Sequence, residues 1–189
     1  MLSDINYRLL TNALSFQIAW FICVQGNNLY AVLTTVCLLS LHAILFRINT
    51  YLQIKSSLLL LAFCLIGFIG DNLIAFTVDL TYSNYQNNQI LSLTTLGPVW
   101  LLCLWLSFSI TMNHSMKWLF QSPVIAFCIG LLFVPLSYIA GITLSESTLL
   151  APYWQFFILE GLWWALLLTG YQILNSDIRK KSIYQGAKS

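Results

Sequence analysis

Two carboxylic acids stand in stretches that otherwise hold no acidic or basic residue: Asp71 in CLIGFIGDNLIAF and Glu160 in WQFFILEGLWWALL. A charged side chain at the centre of a bilayer costs about 2.5–3.5 kcal/mol on insertion scales, so an acid kept there faces the interior of a helix bundle and has a partner or a task. Gly67, Asp71 and Ala75 recur at i, i+4 and i+8, and Gly161, Ala165 and Thr169 repeat that spacing one residue round from Glu160. Small residues at this period let a neighbouring helix approach closely. Such acids have two open uses. Protonated or hydrogen-bonded, they join helices; exchanging a proton or touching a substrate, they work as a relay, a binding group or a catalyst.

The two histidines, His42 and His114, form a second candidate group, with Asn12 and Asn113 near them in depth. Imidazoles and amides together bind a metal or shuttle a proton. Neither H-x-x-x-H nor H-E-x-x-H spacing occurs, and no acid or thiol stands beside either ring in sequence, so no metal and no cofactor are implied. Ser115 next to His114 is not a nucleophile pair, because helix neighbours point about 100° apart. Pro135, within GLLFVPLSYIAG, removes a helical hydrogen bond; a kink there leaves Ser137 or Tyr138 to satisfy the freed backbone or line a cavity.

The elements that must carry these residues are membrane helices. Of 189 residues 59% are apolar and 7% charged, against about a quarter charged in soluble domains. Mean hydropathy is +0.80. A net charge of +2 with scattered basic residues argues against a nucleic-acid partner and leaves the lipid bilayer as the main one. Apolar runs cover Leu9 to Val24, Leu29 to Phe46, Ser57 to Val78, Pro98 to Met112, Pro123 to Ile142 and Pro152 to Leu174. The first is read as a retained helix, since Asp4 opposes a basic leader and Asn12 and Gln17 interrupt its apolar run. The five cysteines, without C-x-x-C spacing, are read as small apolar filler.

All eight Lys and Arg residues fall on one side of this topology: Arg8, then Arg47 and Lys55, then Lys117, then Arg179, Lys180, Lys181 and Lys188. The intervening connections, Gln25 to Asn28, Asp79 to Gly97 and Gly141 to Ala151, hold none. By the positive-inside rule both termini lie in the cytoplasm. The expected fold is an all-α integral membrane protein, a compact single-domain bundle of six transmembrane helices with a short basic tail, 175–189. The third helix then runs outward and the sixth inward. Asp71 and Glu160 share the outer half of the bilayer, while His42, His114 and Asn12 form an inner layer. The long outer connection from Asp79 to Leu96 is read either as lying along the interface or as a short hairpin.

Several dispersed motifs resemble a known family. They are N-x4-FQ-x2-WF (Asn12, Phe16, Gln17, Trp20, Phe21), His42 in the second helix, G-x2-GD-x-L (Gly67, Gly70, Asp71, Leu73), P-x-W-x4-LW-x2-F (Pro98, Trp100, Leu104, Trp105, Phe108), N-HS-x2-WL (Asn113, His114, Ser115, Trp118, Leu119) and PLSY-x-AG (Pro135 to Tyr138, Ala140, Gly141). Together they resemble the bacterial inner-membrane family called domain of unknown function 2878, over nearly the whole chain. The resemblance implies no established activity, but a setting near enzymes that modify membrane fatty acids.

Three functions are therefore expected in order. The first is a non-enzymatic accessory protein in lipid modification or envelope maintenance, docking a cytoplasmic or membrane lipid-modifying enzyme through its basic face. The second is a proton-coupled small-molecule carrier using Asp71 and Glu160. The third is an intramembrane enzyme using His42 and His114.

Overall fold

A backbone surrounded by apolar side chains must satisfy its own N–H and C=O groups, and a helix does so within one segment. The computed structural model of the protein describes residues 2–25, 28–45, 51–82, 97–112, 114–145 and 147–186. Six α-helices account for most of them: α1 (Leu2–Val24), α2 (Asn28–Leu45), α3 (Tyr51–Thr77), α4 (Val99–Met112), α5 (Pro123–Leu144) and α6 (Tyr153–Gly186). A 3-10 helix, Lys117–Gln121, joins α4 to α5. Three helices outrun the apolar segments expected for them by more than a turn, among them α3, which begins at Tyr51 rather than Ser57. α1 takes in the polar residues before Leu9, and α6 continues past Leu174 through the basic tail, because Lys and Arg are good helix formers whether or not they are buried.

The stretch 83–96, most of the long connection between α3 and α4 that is expected on the outer side, lies outside the described residues. Its start is described. Asp79 adopts a left-handed φ of 51°, a conformation open to Asp, and turns the chain out of α3. Strand β1 (Leu80–Thr81) then pairs antiparallel with β2 (Thr148–Leu149), from the α5–α6 connection. That start is thus pinned to a distant segment.

α4 is apolar all round and packs against α1, α2 and α3. Its start is held by Asn28, whose Oδ1 accepts from the Trp100 N–H at 3.1 Å, satisfying a first-turn donor that no helix satisfies internally. Further down, the Thr35 hydroxyl donates to the Cys103 carbonyl at 3.3 Å and lies 3.2 Å from Ser107 Oγ. Just before α4, the Gly97 N–H donates to Asn72 Oδ1 of α3 at 2.6 Å.

α5 and α6 form the tightest helix pair. Ser122 caps α5, accepting from Val124 N at 3.2 Å, and Pro123 occupies the first turn, where its missing N–H is harmless. α5 is continuous through Pro135, which cannot donate to the carbonyl of Leu131 one turn back. That carbonyl faces Gly161 of α6, where a Cβ would stand 2.6 Å from the oxygen; a Cβ on Gly130 would likewise stand 2.7 Å from the Ala165 backbone. The small-residue stripe beside Glu160 is the surface on which α5 lies.

The outer faces of the helices are apolar, with Phe76, Leu73, Phe133, Leu166 and Ile44 among the large exposed side chains. Three helical stretches, Lys55–Thr77, Pro123–Leu144 and Tyr153–Ile178, are long and apolar enough to cross a membrane, and Asn28–Ile44 and Val99–Met112 are shorter apolar helices. An apolar exterior of this extent is that of a membrane protein.

Gly161→Ala is expected to lower the midpoint of thermal unfolding in detergent, since its new methyl group meets a carbonyl oxygen that cannot retreat, at a cost of about 1–3 kcal/mol. Gly170→Ala is the control. Nothing lies within 4 Å of a Cβ there, so it should leave stability unchanged or raise it by up to about 1 kcal/mol.

Candidate functional site

The two acids meet. Asp71 and Glu160 are both 0% exposed and lie within electrostatic reach of one another, on α3 and α6. Asp71 Oδ2 accepts two hydrogen bonds, one from the Trp105 indole N–H at 2.8 Å and one from the Tyr138 hydroxyl, so that one carboxyl oxygen joins α3 to α4 and to α5. Asp71 Oδ1 and both Glu160 oxygens find no hydrogen-bond partner among the described residues.

Large rings reach this point because small residues make room. Gly67 and Gly70 sit on α3 just before Asp71, and a side chain on either would run into the rings of Trp105 and Trp163 respectively. Trp105 stacks on Trp164 with centroids 4.4 Å apart and planes 11° from parallel, and Phe63 meets both rings edge-on. On the strand side Tyr82 faces both acids. Burial, and then the charges of Asp71 and Glu160, hold its phenol well above the ordinary tyrosine range, so it stays protonated. Its hydroxyl is buried and has no partner among the described residues.

In front of Tyr138 and Trp105 lies a cavity of about 370 Å³ between α1 and α5, backed by α4 and α6. Gln17, Ser137, Tyr138, Trp105 and Trp164 line it together with apolar and aromatic side chains. Gln17, Phe133, Ser137 and Ala140 are exposed at its rim, so it opens on the side of the molecule at the middle of the helices. Ser137 Oγ donates to the Val134 carbonyl at 2.7 Å, within its own helix.

The histidines form a second pair, His42 on α2 and His114 just beyond α4, with ring centroids 4.8 Å apart at 62°. Asn12 belongs with them: its Oδ1 accepts from the Ser115 hydroxyl at 2.7 Å, tying α1 to the turn after α4. A cleft of only about 10 Å³ lies beside Asn12 and His42. Asn113 lies outside the described residues. No group of three or more His, Cys, Asp or Glu side chains suited to a metal occurs among the described residues.

The acids, the histidines, Asn12, Gln17, Ser137 and Tyr138 were all identifiable from sequence; Trp105 stood out only as a residue of a family motif, and Trp163, Trp164 and Tyr82 did not stand out. For Trp105 and Trp163 the signal is the pair Gly67 and Gly70 ahead of a buried acid, where missing side chains leave room for a ring.

Fold and site together define a helical membrane-type protein built around a buried carboxyl pair with an aromatic cavity beside it. The chain belongs to the family described as "Protein of unknown function (DUF2878)", whose model matches residues 9–170. No curated protein and no solved structure matches it.

His114 provides a pH test. Burial, then the His42 ring and the Lys117 ammonium, hold its pKa down from 6.5 to about 4. The fold therefore favours the neutral ring. This contribution to stability is whole above pH 6.5 and is lost as the pH falls through about 4, where the folded ring also protonates. Histidine-labelled NMR should show one ring titrating near 4, and His114→Gln should flatten the pH dependence of unfolding across that window. A ring at 114 that titrates between 6 and 7 would contradict the burial.

Proposed function

We propose that this protein is a six-span, multi-pass protein of the bacterial inner membrane, with both termini cytoplasmic, that takes an amphipathic, lipid-class ligand from the bilayer into the cavity between α1 and α5. It serves membrane lipid modification or envelope maintenance as an accessory protein. The observation that carries this reading is the position of the cavity's mouth. It opens mid-helix, beside Gln17, Phe133 and Ala140, at the level of acyl chains for a bundle that crosses the membrane. Aromatic and apolar walls with a few polar groups at one end suit a ligand that has a tail and a small head. The placement of all eight basic residues on one side of the six-span topology supports an inner face that attracts anionic lipid and docks a lipid-modifying enzyme.

A second reading, a proton-coupled carrier, draws support from the meeting of Asp71 and Glu160 in a dry layer next to the cavity. An enzyme centred on His42 and His114 has less support, because the adjoining cleft of about 10 Å³ holds at most about one water.

Native mass spectrometry of the protein released from its own membranes tests the ligand. The wild type should retain one amphipathic molecule per chain through detergent exchange. Ala140→Trp, which fills the cavity from its exposed rim, should lose it while unfolding at the same temperature. Equal retention by both would remove the cavity from the function.

A further inference from the structure

We propose that the ligand of this cavity is a cationic amphiphile of the alkylammonium class, its positive head resting against Trp105, Trp164 and Tyr138 in front of the Asp71–Glu160 carboxyl pair. The inference rests on the cavity being a ligand site and adds the charge of the ligand's head.

Three independent features of the site favour a cation. The first is the wall. Phe16, Trp20, Trp105, Phe108, Tyr138 and Trp164 surround the cavity, and the faces of such rings attract ammonium groups, the more so away from water. No Lys, Arg or His is among the lining residues.

The second is the use already made of the donors at the polar end. The Trp105 N–H and the Tyr138 O–H both point at Asp71 Oδ2, so neither is available to an anionic head. The Trp164 N–H is buried out of contact with the cavity space. The other polar residues of the lining are Ser137, whose hydroxyl proton is already given to the Val134 carbonyl, and Gln17, whose amide can accept.

The third is the chemistry of the buried ionisable groups. Among the described residues Asp71 and Glu160 are the only Asp, Glu, Lys or Arg side chains that are buried. Three of their four carboxyl oxygens have no hydrogen-bond partner among the described residues. A head seated on the Tyr138 oxygen would stand two hydrogen-bond lengths from Asp71, with little water between to screen it. An ammonium there would favour ionisation of an acid behind the ring and so gain a counter-ion, whereas a carboxylate or phosphate would find two acids and no basic side chain to hold it.

The test compares three probes with the same twelve-carbon tail: dodecyltrimethylammonium, dodecanol and dodecanoate. Each is titrated into the full chain in lipid nanodiscs, and specific binding is taken as the part lost in Ala140→Trp. The ammonium probe should bind at least about tenfold more tightly than the alcohol, as desolvated cation–aromatic contact allows, and dodecanoate should show no specific binding. Asp71→Asn and Glu160→Gln should each narrow the ratio of ammonium to alcohol affinity, whatever either change does to binding in general through the packing of Trp105 and Tyr138. If the alcohol or the carboxylate binds as tightly as the ammonium, the inference fails while the cavity remains a ligand site. If no probe shows binding sensitive to Ala140→Trp, the ligand site itself falls. Should either acid variant fail to fold, the ranking of the three heads on the wild type decides alone.

Discussion

One carboxyl oxygen, Asp71 Oδ2, holds the centre of this molecule together. An acid in an apolar bundle is costly unless its lone pairs are met, and here the donors come from two other helices, Trp105 on α4 and Tyr138 on α5. Each donor is a large ring that needs space. Gly67 provides it for Trp105, and Gly70 does the same for Trp163. The bond therefore dictates which faces of α3, α4 and α5 turn inward, and it brings Glu160 of α6 into the same dry layer.

α4 transmits this constraint through the bundle. It is only 14 residues long, so it has few turns with which to make contacts, and nearly every one is used. Asn28 and Thr35 grip it from α2, Phe16 packs on Phe108 from α1, and Trp105 reaches α3 and α6 at once. The consequence for function lies on the opposite side. With α1 held to α4 and α5 held to α6, no strong packing closes the space between α1 and α5, and that space is the cavity.

The helices were legible because long apolar runs leave the backbone few choices, and their ends were less so. Apolarity reports where a helix is buried, while the backbone of α6 continues through Arg179 to Lys181, residues of good helix propensity that carry no apolar signal. Asp71 and Glu160 stood out because charge is rare in such runs, and a shared depth for them followed from helix direction. That they meet, and that Trp105 and Tyr138 are the donors, depends on helix rotation, which periodicity cannot supply when a helix is apolar on every side. His42 and His114 were assigned to one layer, and their rings are in fact neighbours. The two-residue pairing of Leu80–Thr81 with Thr148–Leu149 has no local signature at all.

The central claim is that Asp71 acts as a joint between helices through Trp105 and Tyr138, and a double-mutant cycle measures that directly. Unfolding free energies would be determined in detergent for Asp71→Asn, Trp105→Phe and Tyr138→Phe and for the two doubles containing Asp71→Asn. The account predicts a coupling of about 1 kcal/mol in each cycle, within the range found for hydrogen bonds between membrane helices. Additive effects in both cycles, with no coupling, would contradict it.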